Sequence, residues 1–143
     1  MKVVLDASVV VAAVATKNPQ SATRVLIQAA NAGVFDLVIT EAIEAEYRDA
    51  VEREKVKRAA PRLDRLAFVD ELVGTAERVE VGEDVRVVAK DPKDDKYVTA
   101  ALAARAEFVV SFDRRHLVAI GEYEKVRFVT PGDFLAALRS STS

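Results

Sequence analysis

Short runs of β-branched residues alternate along the chain with longer stretches of helical period, the sequence form of an α/β domain with a parallel sheet. Val3-Val4-Leu5 reads as a strand buried on both faces. Ser8 is placed to cap a helix over Val9 to Ala15, and Asn18-Pro19 opens a second helix through Val25, Leu26, Ala29 and Ala30 to Asn31, with Gly33 as its stop. Phe35-Asp36-Leu37-Val38-Ile39 is the next strand. Thr40 caps a third helix running to about Glu54, and Pro61 starts a fourth through Leu63, Leu66, Val69 and Leu72 that stops near Gly74. Val79 to Val88 alternates around Gly82 and reads as one or two short extended pieces. The turn Asp91-Pro92-Lys93-Asp94-Asp95 leads into a helix from Lys96 to Arg105, Phe108 to Ser111 and Val126 to Val129 are further strands, and Pro131 begins a closing helix over Asp133 to Leu138. The pattern predicts one sheet with helices on both faces, as a single domain over residues 1–139 with 140–143 a frayed tail.

Composition narrows the chemistry. With 143 residues, 50% of them hydrophobic, the chain can bury a core without staples. It contains no Cys, which excludes disulfides, a thiol nucleophile and thiolate metal sites and fits a reducing, cytoplasmic compartment. The single His, His116, reads as a surface or helix-end residue and leaves no room for a zinc site of His and Cys. Any metal centre must therefore be built from carboxylates. Met1-Lys2 runs straight into a strand without the apolar stretch of a signal peptide, and no run is long enough to span a bilayer. The net charge of −2 argues against coating nucleic acid by bulk charge and leaves any such contact to local basic residues.

In open α/β sheets ligands bind beyond the carboxyl ends of the strands. Asp6 follows the first strand directly, and Asp113 follows Phe108 to Ser111 after one residue. Either could equally be a helix cap or turn former. On the third helix Ile43, Tyr47, Ala50 and Val51 form the apolar stripe, and Glu46 falls on that side rather than with Glu44, Arg48 and Glu52. Its carboxylate either faces the sheet edge or snorkels to water from the stripe margin. Asp94 shares the face of Tyr97, Val98, Ala101 and Leu102 and could be a cap, yet Asp91, Asp94 and Asp95 crowd one turn where a cap needs one of them. If Asp6, Glu46, Asp94 and Asp113 converge, each close pair repels by about 4 kcal/mol at an effective dielectric of 20, so the cluster should hold protons or metal. Oxygen ligands point to Mg²⁺ or Mn²⁺, as one or two ions, and to hydrolysis by metal-activated water.

These residues resemble the PIN-domain nucleases, in particular the branch of toxin components of toxin–antitoxin systems. Val3-Val4-Leu5-Asp6-Ala7-Ser8 is similar to the family's opening strand with its Asp-x-Asn/Ser signature, and Thr40 to Tyr47 to the segment in which Ser or Thr precedes a Glu by six residues. Asp91-Pro92-Lys93-Asp94-Asp95-Lys96-Tyr97 resembles the branch's Asp-Pro-x-Asp-Asp/Asn-x-Phe run. Val109 to Asp113 is similar to its strand ending in Thr/Ser-Gly-Asp, and Phe128 to Leu135 to its closing Val-x-Thr-Pro-x-x-Phe-Leu. The resemblance implies a three-layer α/β sandwich with a central, mainly parallel sheet. It implies a metal-dependent endoribonuclease whose Asp6, Glu46, Asp94 and Asp113 hold Mg²⁺ or Mn²⁺, with Ser8, Asp91, Asp95 and Ser111 behind them or on the substrate side. RNA, an antitoxin protein and a second copy of the chain are the partners such a branch implies. The chain departs from the pattern at Phe112, where Gly is usual, and at Arg115, where a further Asp is common.

Basic residues fall into two groups. Arg53, Lys55, Lys57, Arg58, Arg62 and Arg65 are the densest, and read equally as a solvated face. Lys90, Lys93, Lys96, Arg114 and Arg115 flank the acids and are better placed for a phosphate backbone. Phe68 and Leu72 suit core packing, although an antitoxin helix would use such a face. The alternative from another class is a catalytically weak or inactive PIN-like module that binds RNA or a protein. A phosphoacceptor receiver domain would want an acidic pair after the first strand and a Lys after the last, and a haloacid-dehalogenase-type phosphatase would want Asp where Ser8 stands.

Overall fold

The computed structural model describes residues 1–82 and 91–142. Strand β1 (Lys2–Leu5) is followed by helices α1 (Ala7–Ala15) and α2 (Ala22–Asn31), strand β2 (Asp36–Ile39), and helices α3 (Glu41–Ala50), α4 (Glu54–Ala59) and α5 (Arg62–Thr75). After strand β3 (Glu77–Arg78), a 3-10 turn (Pro92–Asp94) leads into α6 (Asp95–Ala104) and β4 (Phe108–Val110). A second 3-10 turn (Val118–Ile120) precedes β5 (Glu122–Tyr123), β6 (Val126–Val129) and α7 (Pro131–Thr142). The six strands form one sheet in the order β3-β2-β1-β4-β6-β5, and every adjacent pair except β5 with β6 is parallel. This is the α/β sandwich with a mainly parallel sheet that the sequence implies.

The apolar runs become the central strands because both faces of the sheet are covered. Val3, Val4, Leu5, Val38, Ile39, Val109 and Val110 are fully buried. Phe134 of α7 packs edge-on against Phe35 and Phe108, with ring centroids 5.1 and 5.3 Å away. The chain enters at β1, builds outward on one side to β2 and β3, and then crosses to β4 on the other. The carboxyl ends of β1 and β4 therefore flank the topological switch point, where such sheets bind ligands.

Several boundaries differ from expectation, each for a local reason. Asp6, not Ser8, is the N-cap of α1, and its side chain accepts the Ser8 amide. The second helix begins after Ser21 rather than at Asn18-Pro19. Asn18 Oδ1 accepts the Gln20 amide in a turn of its own, and the Ser21 hydroxyl takes the Arg24 amide. A Ser21→Ala variant should lose about 1 kcal/mol, read as a lower urea midpoint with unchanged slope. The third helix does not reach Glu54. It ends at Ala50 with Val51 as its C-cap, and Arg53 is the N-cap of the separate α4. Residues 77–78, rather than a segment beginning at Val79, form the third strand, and the Val79 amide closes onto the Ile39 carbonyl at 2.9 Å. The continuation to Val88, and Lys90, lie outside the described residues. The closing helix is longer than the expected Asp133 to Leu138, running from Pro131 to Thr142. No helix among the described residues is long and apolar enough to cross a membrane.

Candidate metal centre

Asp6 sits at the end of β1 and is buried, with 5% of its surface exposed. Burial raises its pKa, against the opposing hydrogen bonds from Ser111, Ser8 and Val9. Each of its carboxylate oxygens is held by a serine. The Ser8 hydroxyl donates to Oδ1 and the Ser111 hydroxyl to Oδ2. Both serine oxygens also accept an amide from the loop after β4, from Phe112 at 3.1 Å on Ser8 and from Asp113 at 2.8 Å on Ser111. Two tyrosines fix the backbone on either side. The Tyr47 hydroxyl donates to the Leu5 carbonyl, and the Tyr97 hydroxyl accepts the Ala7 amide at 3.1 Å. Neither role was visible in a period that placed both residues on apolar stripes. The available signal was the choice of Tyr at a buried position, since a buried phenol needs a partner. Burial pushes both phenols up; at Tyr47 the neighbouring Tyr97 and Asp6 add to it, and at Tyr97 it is Asp6, Glu46 and Asp94. Tyr97→Phe should cost about 1–3 kcal/mol, because it leaves the Ala7 amide unsatisfied, and calorimetry would register it.

The crowded turn before α6 divides its labour. Asp91 does the capping, with its side chain accepting the Lys93 amide at 3.0 Å. Asp95 is buried at the start of α6. Asp94 occupies the N-cap position of α6 but makes no side-chain cap bond, and its Oδ2 is buried with no hydrogen-bond partner. Burial, then the charges of Asp6, Asp113 and Asp91, raise its pKa to about 6, while His116 opposes them. An acid that makes no cap bond and leaves one buried oxygen without a partner, pressed on by three others, fits a site for a cation.

Asp113 stands across the crevice in the turn after β4. Its Oδ1 accepts the amides of Arg115 and His116, and its Oδ2 lies 2.9 Å from His116 Nδ1. Burial raises this carboxyl, but the imidazole and the two amides outweigh it and hold the pKa below the ordinary value. With Asp113 ionised, Nδ1 is the donor and Nε2 is the ring's remaining nitrogen. His116 is thus a residue the sequence reading missed. One ligand atom each from Asp91, Asp94 and His116 lie within 4.8 Å of one another. The signal was its place three residues after a strand-end acid, within the same turn. Carboxylate oxygens with one imidazole suit a hard or borderline divalent ion.

Among the described residues only Asp91, Asp94 and His116 bring ligand atoms within 4.8 Å of one another; Asp6 and Asp113 lie near enough for their charge to raise the Asp94 pKa but do not join that group. Glu46 is placed beside them, near Tyr97, and is held by cations: Arg53 at 3.0 Å and Lys96 at 3.7 Å. Lys96, expected to face phosphate, thus pairs with Glu46, and its ammonium lies 5.9 Å from the Tyr97 ring centre. Lys93, Arg114 and Arg115 are exposed around the crevice. The denser basic cluster breaks up. Arg53 goes to Glu46, and Arg65 is buried, donating to the carbonyls of Val51 and Ala60 and to Glu52.

The family model described as PIN domain matches residues 2–115, from β1 through the turn after β4, a span that contains Asp6, Glu46, Asp94 and Asp113. This chain belongs to the PIN domain family, whose members are in general nucleases. Its fold is similar to that in the crystal structure of PAE2754 from Pyrobaculum aerophilum. The TM-score is 0.68 at 16% identity, over 98% of this chain and 90% of that one, and the likeness is one of fold. No curated protein matches the chain.

Proposed function

We propose that the protein is a metal-dependent endoribonuclease, the toxin of a toxin–antitoxin pair acting in the cytoplasm, with Mg²⁺ or Mn²⁺ held by Asp6, Asp94 and Asp113 and with Glu46 completing the acid set. The observation that carries this reading is Asp94, a half-buried carboxylate whose Oδ2 has no hydrogen-bond partner and whose ionisation is opposed by three other acids. A divalent ion there supplies the Lewis acidity that activates water and offsets charge on a phosphodiester. The chain's own residues do the rest. Ser8 and Ser111 hold the Asp6 oxygens in place, Tyr47 and Tyr97 fix the backbone beneath them, and His116 orients Asp113. Lys93, Arg114 and Arg115 supply positive charge where an RNA backbone would approach.

The ion pairs of Glu46 favour a second reading, a PIN-like module that binds RNA or a protein partner without cutting, because the carboxylate would have to give up Arg53 and Lys96 to reach a metal. End-labelled single-stranded RNA separates the two. The nuclease produces internal cuts with Mg²⁺ or Mn²⁺, none with chelator, and roughly 10²–10³-fold slower cutting in Asp94→Asn. Binding without cuts at any metal concentration would sustain the second reading. An antitoxin or a second copy of the chain would be found by co-purification and by sedimentation.

A further inference from the structure

Phe112 lies between Ser111 and Asp113 and is the only aromatic residue among the described ones that is exposed, at 48%. It belongs to neither of the ring contacts that build the core. Its backbone is not of the left-handed kind, so the turn does not require a glycine at this position. We propose that the Phe112 ring is a stacking platform for an unpaired base of the RNA, next to the position where a cation bound at the acid cluster would hold the phosphate. This rests on the nuclease reading and adds to it a residue that contacts a base.

Three features support the assignment. The ring is carried on a fixed backbone: the Phe112 amide is bound by Ser8 and the Asp113 amide by Ser111, and both serines hold Asp6. The aromatic face and the acids are therefore held at one spacing, and only two side-chain torsions are left to order on binding. The following residues, Arg114 and Arg115, are exposed cations, so an aromatic face is followed by charge suited to a sugar–phosphate backbone, the arrangement of sequence-tolerant single-strand binding. Finally, a base inside a duplex has both faces covered by its neighbours, so the ring can accept only a base that is unpaired or splayed out.

The chain contains no Trp, so Phe112→Trp places the protein's sole indole at this position. This variant is titrated in Mg²⁺ with a single-stranded oligouridine, with the same strand in a duplex, and with the same strand carrying abasic positions. Binding is followed by anisotropy of a labelled strand and cutting is followed in the same samples. Stacking predicts indole quenching by the single strand alone, and Phe112→Ala should bind that strand about tenfold more weakly while binding the abasic strand as the wild type does. Equal quenching by the abasic strand, or no quenching while anisotropy shows the strand bound, overturns the proposal, as does unchanged affinity in Phe112→Ala. Quenching without cutting leaves the platform standing and removes the nuclease reading. Cutting without quenching does the reverse, and absence of binding by any strand removes both.

Discussion

Saturating Mn²⁺ or Mg²⁺ should raise the unfolding temperature of the wild-type protein and leave that of Asp94→Asn unchanged. A ligand at a hundred times its Kd stabilises the native state by about 2.7 kcal/mol, which for a domain of this size is a shift of roughly 8 °C. Without metal, the order should reverse. Asp94 titrates near 6 in the folded protein against an ordinary value of 3.8. Between these values the native chain holds a proton that the unfolded chain has lost, so the stability of the metal-free protein falls as pH rises from about 4 through 6. Asp6, also raised, acts in the same direction. The amide in Asp94→Asn cannot ionise and escapes the loss, so at pH 7 the metal-free variant should melt above the metal-free wild type. Protons compete for the same oxygens, and the metal-induced shift should grow between pH 5 and 7. Thermal melts at pH 5, 6 and 7 with and without metal contain every comparison. A variant that melts lower than the wild type throughout would mean that Asp94 serves the helix end and not a cation.

Replacing Arg65 with Ala should cost about 3 kcal/mol, although it is a charged residue in a basic stretch. Its guanidinium, 4% exposed, lies 2.8 Å from the Val51 carbonyl and 3.0 Å from that of Ala60. These are the carbonyls released where α3 ends and where α4 ends, and without Arg65 neither keeps the partner that the guanidinium provides. The Glu52 contact adds little, because the Glu52 side chain stays partly in solvent. Arg65→Lys keeps the charge but not the fork of donors, so it should recover only part of the loss. Urea unfolding of both variants gives the two values, and RNA binding should be unchanged in Arg65→Lys, since the side chain does not reach the surface. A loss of affinity at full stability would return Arg65 to the RNA face.

Arg65 also shows where a linear reading of this chain stops. The strands were legible because β-branched runs such as Val3-Val4-Leu5 stay buried in any parallel sheet. Asp6 and Asp113 were legible as strand-end acids, and Asp94 as one acid too many for a single cap. The break between α3 and α4 was not, because the group that terminates α3 lies 14 residues further along. Glu46 was set apart from Glu44 by helical period, yet its side chain is no more buried than that of Glu44, and its partners Arg53 and Lys96 come from other elements that no helical period contains. His116 and the two tyrosines were assigned by residue type and phase, whereas their roles depend on which atom meets a segment distant in sequence. The hairpin of β5 and β6 has two pairs, too short to leave an alternating pattern.

The clamp on Asp6 has a consequence for the order in which the protein comes into being. Tyr47 reaches back 42 positions to Leu5, the Ala7 amide reaches forward 90 to Tyr97, and Ser111 closes on Asp6 across 105. Contacts this far apart pay the entropy of closing long loops and are formed late. A chain emerging from the ribosome thus carries Asp6 almost from the start, but the acid has no fixed geometry until β4 and its loop have been made and docked. On the reading proposed above, the growing chain is harmless to the messenger and ribosomal RNA around it for nearly the whole of its synthesis, and activity arrives in one step with the completed fold.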